Sequence, residues 1–154
     1  MRYIVVIAFV LSSLFSFGQN LLVAYSDIYI VVADSGSNFT ELDDKAYAAS
    51  KVLEVAYYSN KRYDAKKGLI YSDEFITENK HDFVEYSHRR FATNDVSIER
   101  IEPYFDSIPK SKSMLVIAGM FTKKQDADKT LFELSKFFPR AFIYKKEMYL
   151  GCDY

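Results

Sequence analysis

One stretch in the middle of the sequence gathers side chains that could bind a ligand. It places His88, Arg89 and Arg90 between two aromatic residues, Tyr86 and Phe91. An aromatic ring offers a flat apolar face on which a sugar ring can stack, and a guanidinium can hold a carboxylate through two parallel hydrogen bonds. The alternative interpretation is a surface loop whose arginines pair with nearby Asp or Glu, where such pairs contribute little to stability.

The rest of the sequence shows no pattern typical of an enzyme. The two histidines, His81 and His88, lack the spacing of a metal site, and Cys152 is the single cysteine. There is no Gly-x-Ser-x-Gly elbow and no glycine-rich phosphate loop. The carboxylate pairs Asp43-Asp44 and Asp73-Glu74 are adjacent residues, which point apart on a helix or a strand. We therefore predict that the protein is not an enzyme and has no metal site and no cofactor.

The charge and the aromatic content restrict the partners further. The chain has 20 Lys and Arg against 21 Asp and Glu, so it lacks the cationic excess with which proteins neutralise nucleic-acid phosphates. We expect no nucleic-acid partner. The 13 Tyr and 13 Phe predict either a dense core, which is the default, or a sugar-stacking surface.

The N-terminus has the pattern of a secretory signal peptide. A basic residue precedes the uncharged, mostly apolar stretch 4–15, and Ser16 and Gly18 place small residues before a cleavage point. The alternative is a membrane anchor, but the apolar stretch is shorter than the roughly 20 residues that a spanning helix needs. We expect removal of residues 1–18, which leaves residues 19–154 as a single periplasmic or secreted domain with no stable membrane span.

The C-terminal part predicts a strand, a helix and a second strand. Residues 114–121 form a short apolar run typical of a strand buried on both faces. The next segment has one apolar stripe at helical spacing, made by Ala127, Leu131, Leu134 and Phe138. Thr122 and Gln125 match a capping box at the helix start, and Pro139 predicts the helix end at Phe138. The aromatic and β-branched segment 141–144 predicts the second strand.

The N-terminal part repeats this pattern weakly. Residues 27–33 are strongly β-forming, a turn cluster follows at 34–38, and a helix is predicted from Thr40. The apolar stripe of this helix consists of Leu42, Ala46, Ala49, Leu53 and Ala56. We predict a core in which residues from both units are buried together: Val32, Ile117, Leu131 and Leu134.

The region between the two units gives weaker patterns. Residues 63–68 predict a turn, and short strands are predicted at 69–71 and 83–86. Asn94-Asp95 predicts the cap of a short helix over residues 96–101.

Part of the chain resembles a known family. The strand end Ile117-Ala-Gly-Met-Phe121, the helix with Ala127, and Pro139-Arg-Ala-Phe-Ile143 resemble the second half of a SPOR (sporulation-related repeat) domain. Residues 29–53 resemble the first half more loosely, because Ala33-Asp34-Ser35 stands where the family has its Gly-x-Phe signature. The resemblance implies an α+β fold, ferredoxin-like, with two βα units on an antiparallel sheet, helices on one face, and a long insertion between the units at 58–112.

The same resemblance implies non-catalytic binding of peptidoglycan, because SPOR domains bind glycan strands stripped of stem peptides. Val31 and Ile117 occupy strand positions where a polar residue would be expected, and apolar side chains cannot hydrogen-bond a sugar. Glycan binding would therefore depend on residues in the insertion: Tyr86, His88, Arg89, Arg90 and Phe91. The alternative is a structural or protein-interaction module of the cell envelope that does not bind glycan, with an envelope protein as its partner.

Overall fold

The computed structural model describes residues 25–79, 86–105 and 114–149. Its strands are Tyr25–Gly36 (β1), Lys61–Asp64 (β2), Gly68–Tyr71 (β3), Ser97–Arg100 (β4), Met114–Phe121 (β5) and Phe142–Tyr149 (β6). Its helices are Phe39–Leu53 (α1), Asp73–Asn79 (α2) and Lys124–Leu134 (α3). The predicted signal peptide, residues 1–18, and Cys152 lie outside the described residues.

Four strands form one antiparallel sheet in the order β4-β5-β1-β6, and β2 and β3 form a separate hairpin. Helix α1 follows β1 and helix α3 follows β5, which gives the two predicted βα units. If the β2–β3 hairpin and α2 are left out, the elements follow one another along the chain as β1-α1-β4-β5-α3-β6. This is the β-α-β-β-α-β order of ferredoxin-like folds. The predicted α+β class is thus confirmed.

The two central strands of the sheet, β1 and β5, are buried on both faces over most of their length. Alternate residues of a strand point to opposite sides, so Val31 and Ala33 pack under the two long helices while Ile30 and Val32 point away from them. The helix-side core also holds residues of α1 and α3: Leu42, Ala46, Ala49, Ala127 and Leu134. The second core contains Ile28, Ile101, Tyr104, Leu115, Ile117, Met120 and Met148 beside Ile30 and Val32.

The predicted single core set is therefore wrong. Leu134 is fully buried and Leu131 is partly buried on the helix side, whereas Val32 and Ile117 are fully buried on the other side of the sheet. Val32 and Ile117 are cross-strand partners, so the register places both on the same face. Alternate residues of a strand point to opposite faces, so Val32 and Ile117 lie on the other side of the sheet from Leu131 and Leu134. A continuous apolar run in the sequence does not show which of its residues share a face.

The long helices differ from their predictions at their ends. Helix α1 begins at Phe39, one residue before the predicted start, and the side chain of Asn38 accepts a hydrogen bond from the Glu41 N–H. Helix α3 begins at Lys124 after an N-cap residue, Lys123, that makes no side-chain capping bond. The predicted capping box is wrong because this start places Gln125 at the second helical position, and a capping box needs the third.

Both long helices end earlier in the chain than predicted. Helix α1 ends at Leu53, so Ala56 lies beyond it, and Glu54 adopts the left-handed conformation typical of a helix C-terminus. Helix α3 ends at Leu134 instead of Phe138. The Phe137 and Phe138 N–H groups both donate to the Leu134 carbonyl, so a tight turn follows the helix before Pro139.

The region between the units contributes a core strand. Residues 96–101 were expected to form a helix, but β4 pairs antiparallel with β5, with Ser97 opposite Ile117 and Arg100 opposite Met114. The error has a physical cause. Val96 and Ile98 are both buried in the helix-side core, as the alternation of a strand requires. Two alternating residues are too short a pattern to distinguish a strand from a helix in the sequence. The predicted strand at 69–71 is confirmed as part of β3. Most of the strand predicted at 83–86 lies outside the described residues.

Within residues 25–79, 86–105 and 114–149, no helix combines the length and the apolar character that crossing a membrane requires.

Candidate functional site

A cleft of about 610 Å³ lies where the β2–β3 hairpin meets the edge strand β4. We call it the polar cleft. The residues that line it come from three segments of the chain: Tyr58, Asn60, Lys61 and Tyr71; Ser87, His88, Arg89, Arg90 and Phe91; and Asp95, Ser97 and Glu99.

Strand β4 supplies the floor of the polar cleft. Its alternation directs Ile98 into the helix-side core and turns Ser97 and Glu99 towards the cleft. Lys61 reaches from β2 to form an ion pair with Glu99, with Nζ 2.5 Å from Oε1, and also donates to the Ile98 carbonyl at 3.1 Å. The Lys61 and Glu99 side chains are only 7% and 1% exposed, so this pair joins the hairpin to the sheet.

Tyr86 completes this buried network. Its hydroxyl donates to Glu99 Oε2 at 2.8 Å and accepts from the Arg100 N–H at 3.0 Å. The Arg100 guanidinium lies over the Tyr86 ring, 4.4 Å from its centroid, and donates to the Leu69 carbonyl of β3. Burial, followed by the Glu99 charge, raises the pKa of Tyr86, so the phenol stays a neutral donor. Tyr86 therefore stabilises the position of Glu99 in the cleft but does not line the cleft itself.

Arg89 is also an internal residue. Its side chain is 8% exposed and pairs with Asp95, with Nη2 3.0 Å from Oδ1. It also donates to the Asp95 carbonyl at 2.9 Å and to the Thr93 carbonyl. Burial lowers the pKa of Arg89, and the Asp95 charge opposes this effect. These bonds hold the turn that leads into β4.

The remaining three predicted residues lie at the cleft surface. Phe91 is 59% exposed, and His88 and Arg90 are partly exposed. The His88 ring meets the edge of the buried Tyr104 ring at a centroid distance of 6.2 Å. Burial first, and the Arg90 charge second, lower the pKa of His88, so its imidazole is neutral at pH 7 in the free protein.

The structure thus divides the five predicted residues. Four of them line the polar cleft, whereas Tyr86 is not among the lining residues. Of the four, Arg89 is occupied by internal bonds, and His88, Arg90 and Phe91 are at the surface.

Sequence reasoning missed the four lining residues of the cleft that come from residues 58–71: Tyr58, Asn60, Lys61 and Tyr71. Tyr58 is 56% exposed, which places a second accessible aromatic ring in the same cleft as Phe91. The buried Oδ1 of Asn60 has no hydrogen-bond donor within the described part of the chain. An acceptor without a donor is costly unless a ligand or water supplies one. In the sequence, residues 58–61 are only a run of aromatic and polar residues after α1. Nothing in that run indicates that it meets the segment 87–91, about thirty residues further along the chain.

Among the described residues, no three His, Cys, Asp or Glu side chains lie close enough together to hold a metal ion.

Comparisons of the chain with protein-family models, with curated proteins and with solved structures gave no match.

Proposed function

We propose that this protein is a non-catalytic binding protein of the cell envelope, periplasmic or secreted, that holds a glycan strand of peptidoglycan in the polar cleft. The observation that carries the proposal is the composition of this cleft: two exposed aromatic rings beside a lining of polar side chains. The resemblance to SPOR domains supports the same ligand class.

The aromatic residues suit the apolar faces of sugar rings. Tyr58 and Phe91 are 56% and 59% exposed although both are large and apolar. Each comes from a different segment of the lining, so two rings are offered to one ligand. Stacking of this kind gives affinity, while nearby polar groups fix the orientation of the ligand.

The polar residues suit the hydroxyl and amide groups of a glycan. The side chains of Asn60, Ser87 and His88 all line the cleft and carry groups that can donate or accept hydrogen bonds. The sheet itself is a poor alternative site, because Val32 and Ile117 are fully buried on the face away from the helices.

The carboxylates of the cleft favour binding over catalysis. Glu99 is paired with Lys61 and accepts from Tyr86, and Asp95 is paired with Arg89. A general acid or base has to reach the bond that breaks, and these two groups are held by the protein.

A sedimentation assay with purified peptidoglycan sacculi tests the proposal. Sacculi treated with an amidase, which removes stem peptides, should bind the protein more tightly than intact sacculi. The double variant Tyr58→Ala with Phe91→Ala should lose about tenfold or more in affinity without a change in melting temperature, since both rings are exposed.

Phe132→Ala is the matched control, because Phe132 is 68% exposed but lies on α3. It should bind as the parent does. Parent-like binding by the Tyr58 and Phe91 double variant would remove the polar cleft from the proposed function.

A protein-interaction role is the second candidate, and a separate surface favours it. A groove of about 420 Å³ lies between α1 and residues 137–140. Ala48, Val52 and Phe137 line it together with three charged residues, Asp34, Lys45 and Arg140. Phe137 is 66% exposed. If this role is the correct one, Phe137→Ala should abolish cross-linking to an envelope protein in cells, and sacculus binding should be absent in the parent as well.

A further inference from the structure

A second cleft, of about 330 Å³, lies next to the polar cleft. His88 and Arg90 line both clefts, so the two clefts meet at these residues. The rest of its lining comes from the segment after β4 and from β6: Pro103, Lys146, Glu147, Met148 and Tyr149. A ligand that passes over His88 and Arg90 can therefore contact both clefts.

The second cleft is held in shape by contacts within the protein. Lys146 of β6 donates to the Pro103 carbonyl at 3.1 Å. The Phe105 ring packs on the ring of Tyr144, also in β6, at a centroid distance of 4.2 Å. These contacts fix the segment 103–105 against β6, so the cleft exists without a ligand. A preformed cleft lowers the entropy cost of ordering the protein when a ligand binds.

The junction between the two clefts is also fixed. The His88 ring meets the edge of the Tyr104 ring, and Tyr104 is fully buried. The Tyr104 hydroxyl donates to the Arg89 carbonyl at 3.1 Å, which ties the backbone beside His88 to the second core. The two clefts therefore keep a constant position relative to each other, as a ligand made of repeating units requires.

Tyr149 gives the second cleft an aromatic ring of its own. It is partly exposed, and its ring lies 5.6 Å from the ring of Tyr25, which is 61% exposed. The polar cleft already contains two exposed rings, those of Tyr58 and Phe91. A glycan strand repeats the apolar face of a sugar ring along its length, so it can stack on rings in both clefts.

The volumes also suit a ligand longer than one cleft. Sites for small ligands have volumes of roughly 300–1,000 Å³. The polar cleft, at about 610 Å³, and the second cleft, at about 330 Å³, each lie within this range. One ligand that fills both must extend beyond the part held in the polar cleft.

We propose that the two clefts form one extended site, in which the polar cleft binds one part of a glycan strand and the second cleft binds the sugars that follow, with Tyr149 as the stacking residue. The proposal rests on the proposed function and adds the length of the ligand: a strand of several disaccharide units instead of a single disaccharide. The contact that distinguishes the two lengths is the one with Tyr149.

Isothermal titration calorimetry with amidase-treated glycan fragments of defined length tests the extended site. The fragments are a single disaccharide unit and a strand of three such units. The parent should bind the longer fragment more tightly by about tenfold beyond the gain from its larger number of binding registers, as expected for one additional stacked ring.

Tyr149→Ala should lose this additional gain and keep the parent's affinity for the single disaccharide, which also shows that the variant is folded. The gain from the number of registers should remain, because it does not depend on Tyr149. Phe142→Ala is the matched control. Phe142 is an aromatic residue of the same strand, 39% exposed, and is not among the lining residues of the second cleft. This variant should keep the full gain.

NMR spectroscopy of the unmutated protein provides a second measurement. Met148 lines the second cleft, whereas Met114 and Met120 are 1% exposed core residues that serve as internal references. With isotope-labelled methionine methyl groups, the Met148 signal, assigned with Met148→Leu, should shift on addition of the longer fragment. It should stay in place on addition of the single disaccharide.

The outcomes separate the extended site from the proposed function. The same gain with length in the parent and in Tyr149→Ala would overturn the extended site and leave glycan binding intact. A Met148 signal that does not respond to the longer fragment at saturation would overturn it as well. Absence of binding to either fragment and to intact strands would contradict the proposed function, and the extended site with it.

Discussion

Arg89 and Arg90 are neighbours with the same side chain, yet they have different roles in the structure. Arg89 is 8% exposed and paired with Asp95, whereas Arg90 is partly exposed and lines the polar cleft. We expect Arg89→Ala to lower the free energy of unfolding by about 3–5 kcal/mol, because it leaves a mostly buried carboxylate without its cation. Arg90→Ala should change it by less than about 1 kcal/mol. Urea denaturation followed by circular dichroism measures both.

Arg89→Lys is the control for charge. A lysine keeps the positive charge but cannot reproduce the planar fork that reaches Asp95 and Thr93 together, so partial rescue is expected. Equal stability of the Arg89→Ala and Arg90→Ala variants would show that the Asp95 pair does not hold this turn.

At the scale of elements, the Gly-x-Phe pattern that suggested the family has a packing explanation. Val31 pairs with Gly119 but Val32 pairs with Ile117, so Ala118 is left without a partner residue in β1 and β5 carries a bulge. Gly119 has a φ of 153°. The Phe121 ring folds back over it, and a Cβ at Gly119 would lie 2.5 Å from Phe121 Cε2.

Gly119→Ala should therefore destabilise the protein, by about 1–3 kcal/mol, because the Phe121 ring has to leave its place against the helix-side core. Gly36→Ala is the matched control: a Cβ there meets Leu42 at an ordinary 3.8 Å. Thermal denaturation of both variants and of Gly119→Ala with Phe121→Leu measures the effect. The stability lost by the double variant should be smaller than the sum of the losses in Gly119→Ala and Phe121→Leu. Additive losses of stability would contradict the clash.

Sequence periodicity predicted the elements with long, regular patterns and failed where the pattern was short. The stripe of Leu42, Ala46 and Ala49 gave α1, and the apolar run of 114–121 gave β5. Strand β4 has only four residues, and its alternation was mistaken for a helix. The two core layers could not be separated without the register, since apolar residues on both faces of a strand read as one continuous run.

The candidate site was predicted in part for a similar reason. His88, Arg90 and Phe91 lie within one short segment, so their chemistry was visible in the sequence. Tyr58 and Asn60 join them only through tertiary structure, because Lys61 of β2 is bonded to Glu99 of β4. The burial of Arg89 depends on Asp95 in the same way and has no sequence signature.

At the scale of the whole molecule, the second core layer supports the part of the polar cleft that contains His88 and Arg89. Tyr104 is fully buried in that layer, beside residues such as Ile28 and Ile30. Its hydroxyl donates to the Arg89 carbonyl at 3.1 Å, and its ring supports His88. A change in this layer should therefore affect ligand binding as well as stability.

Two substitutions at Tyr104 separate its packing from its hydrogen bond. Tyr104→Ala should cost about 3–5 kcal/mol through the cavity it leaves. Tyr104→Phe keeps the ring but removes the donor to the Arg89 carbonyl, which should cost about 0.5–1.5 kcal/mol. Tyr104→Phe should also bind glycan more weakly. If about 1 kcal/mol of binding free energy is lost, the affinity falls by about fivefold.

Ile28→Val provides the comparison, because it removes one methylene from the same layer and should cost a similar amount, roughly 0.5–1.5 kcal/mol, at a residue that does not line the polar cleft. Its glycan affinity, measured by calorimetry beside that of Tyr104→Phe, should match the parent. If Ile28→Val weakens binding as much as Tyr104→Phe does, the affinity follows global stability, and the bond from the Tyr104 hydroxyl to the Arg89 carbonyl has no specific part in shaping the polar cleft.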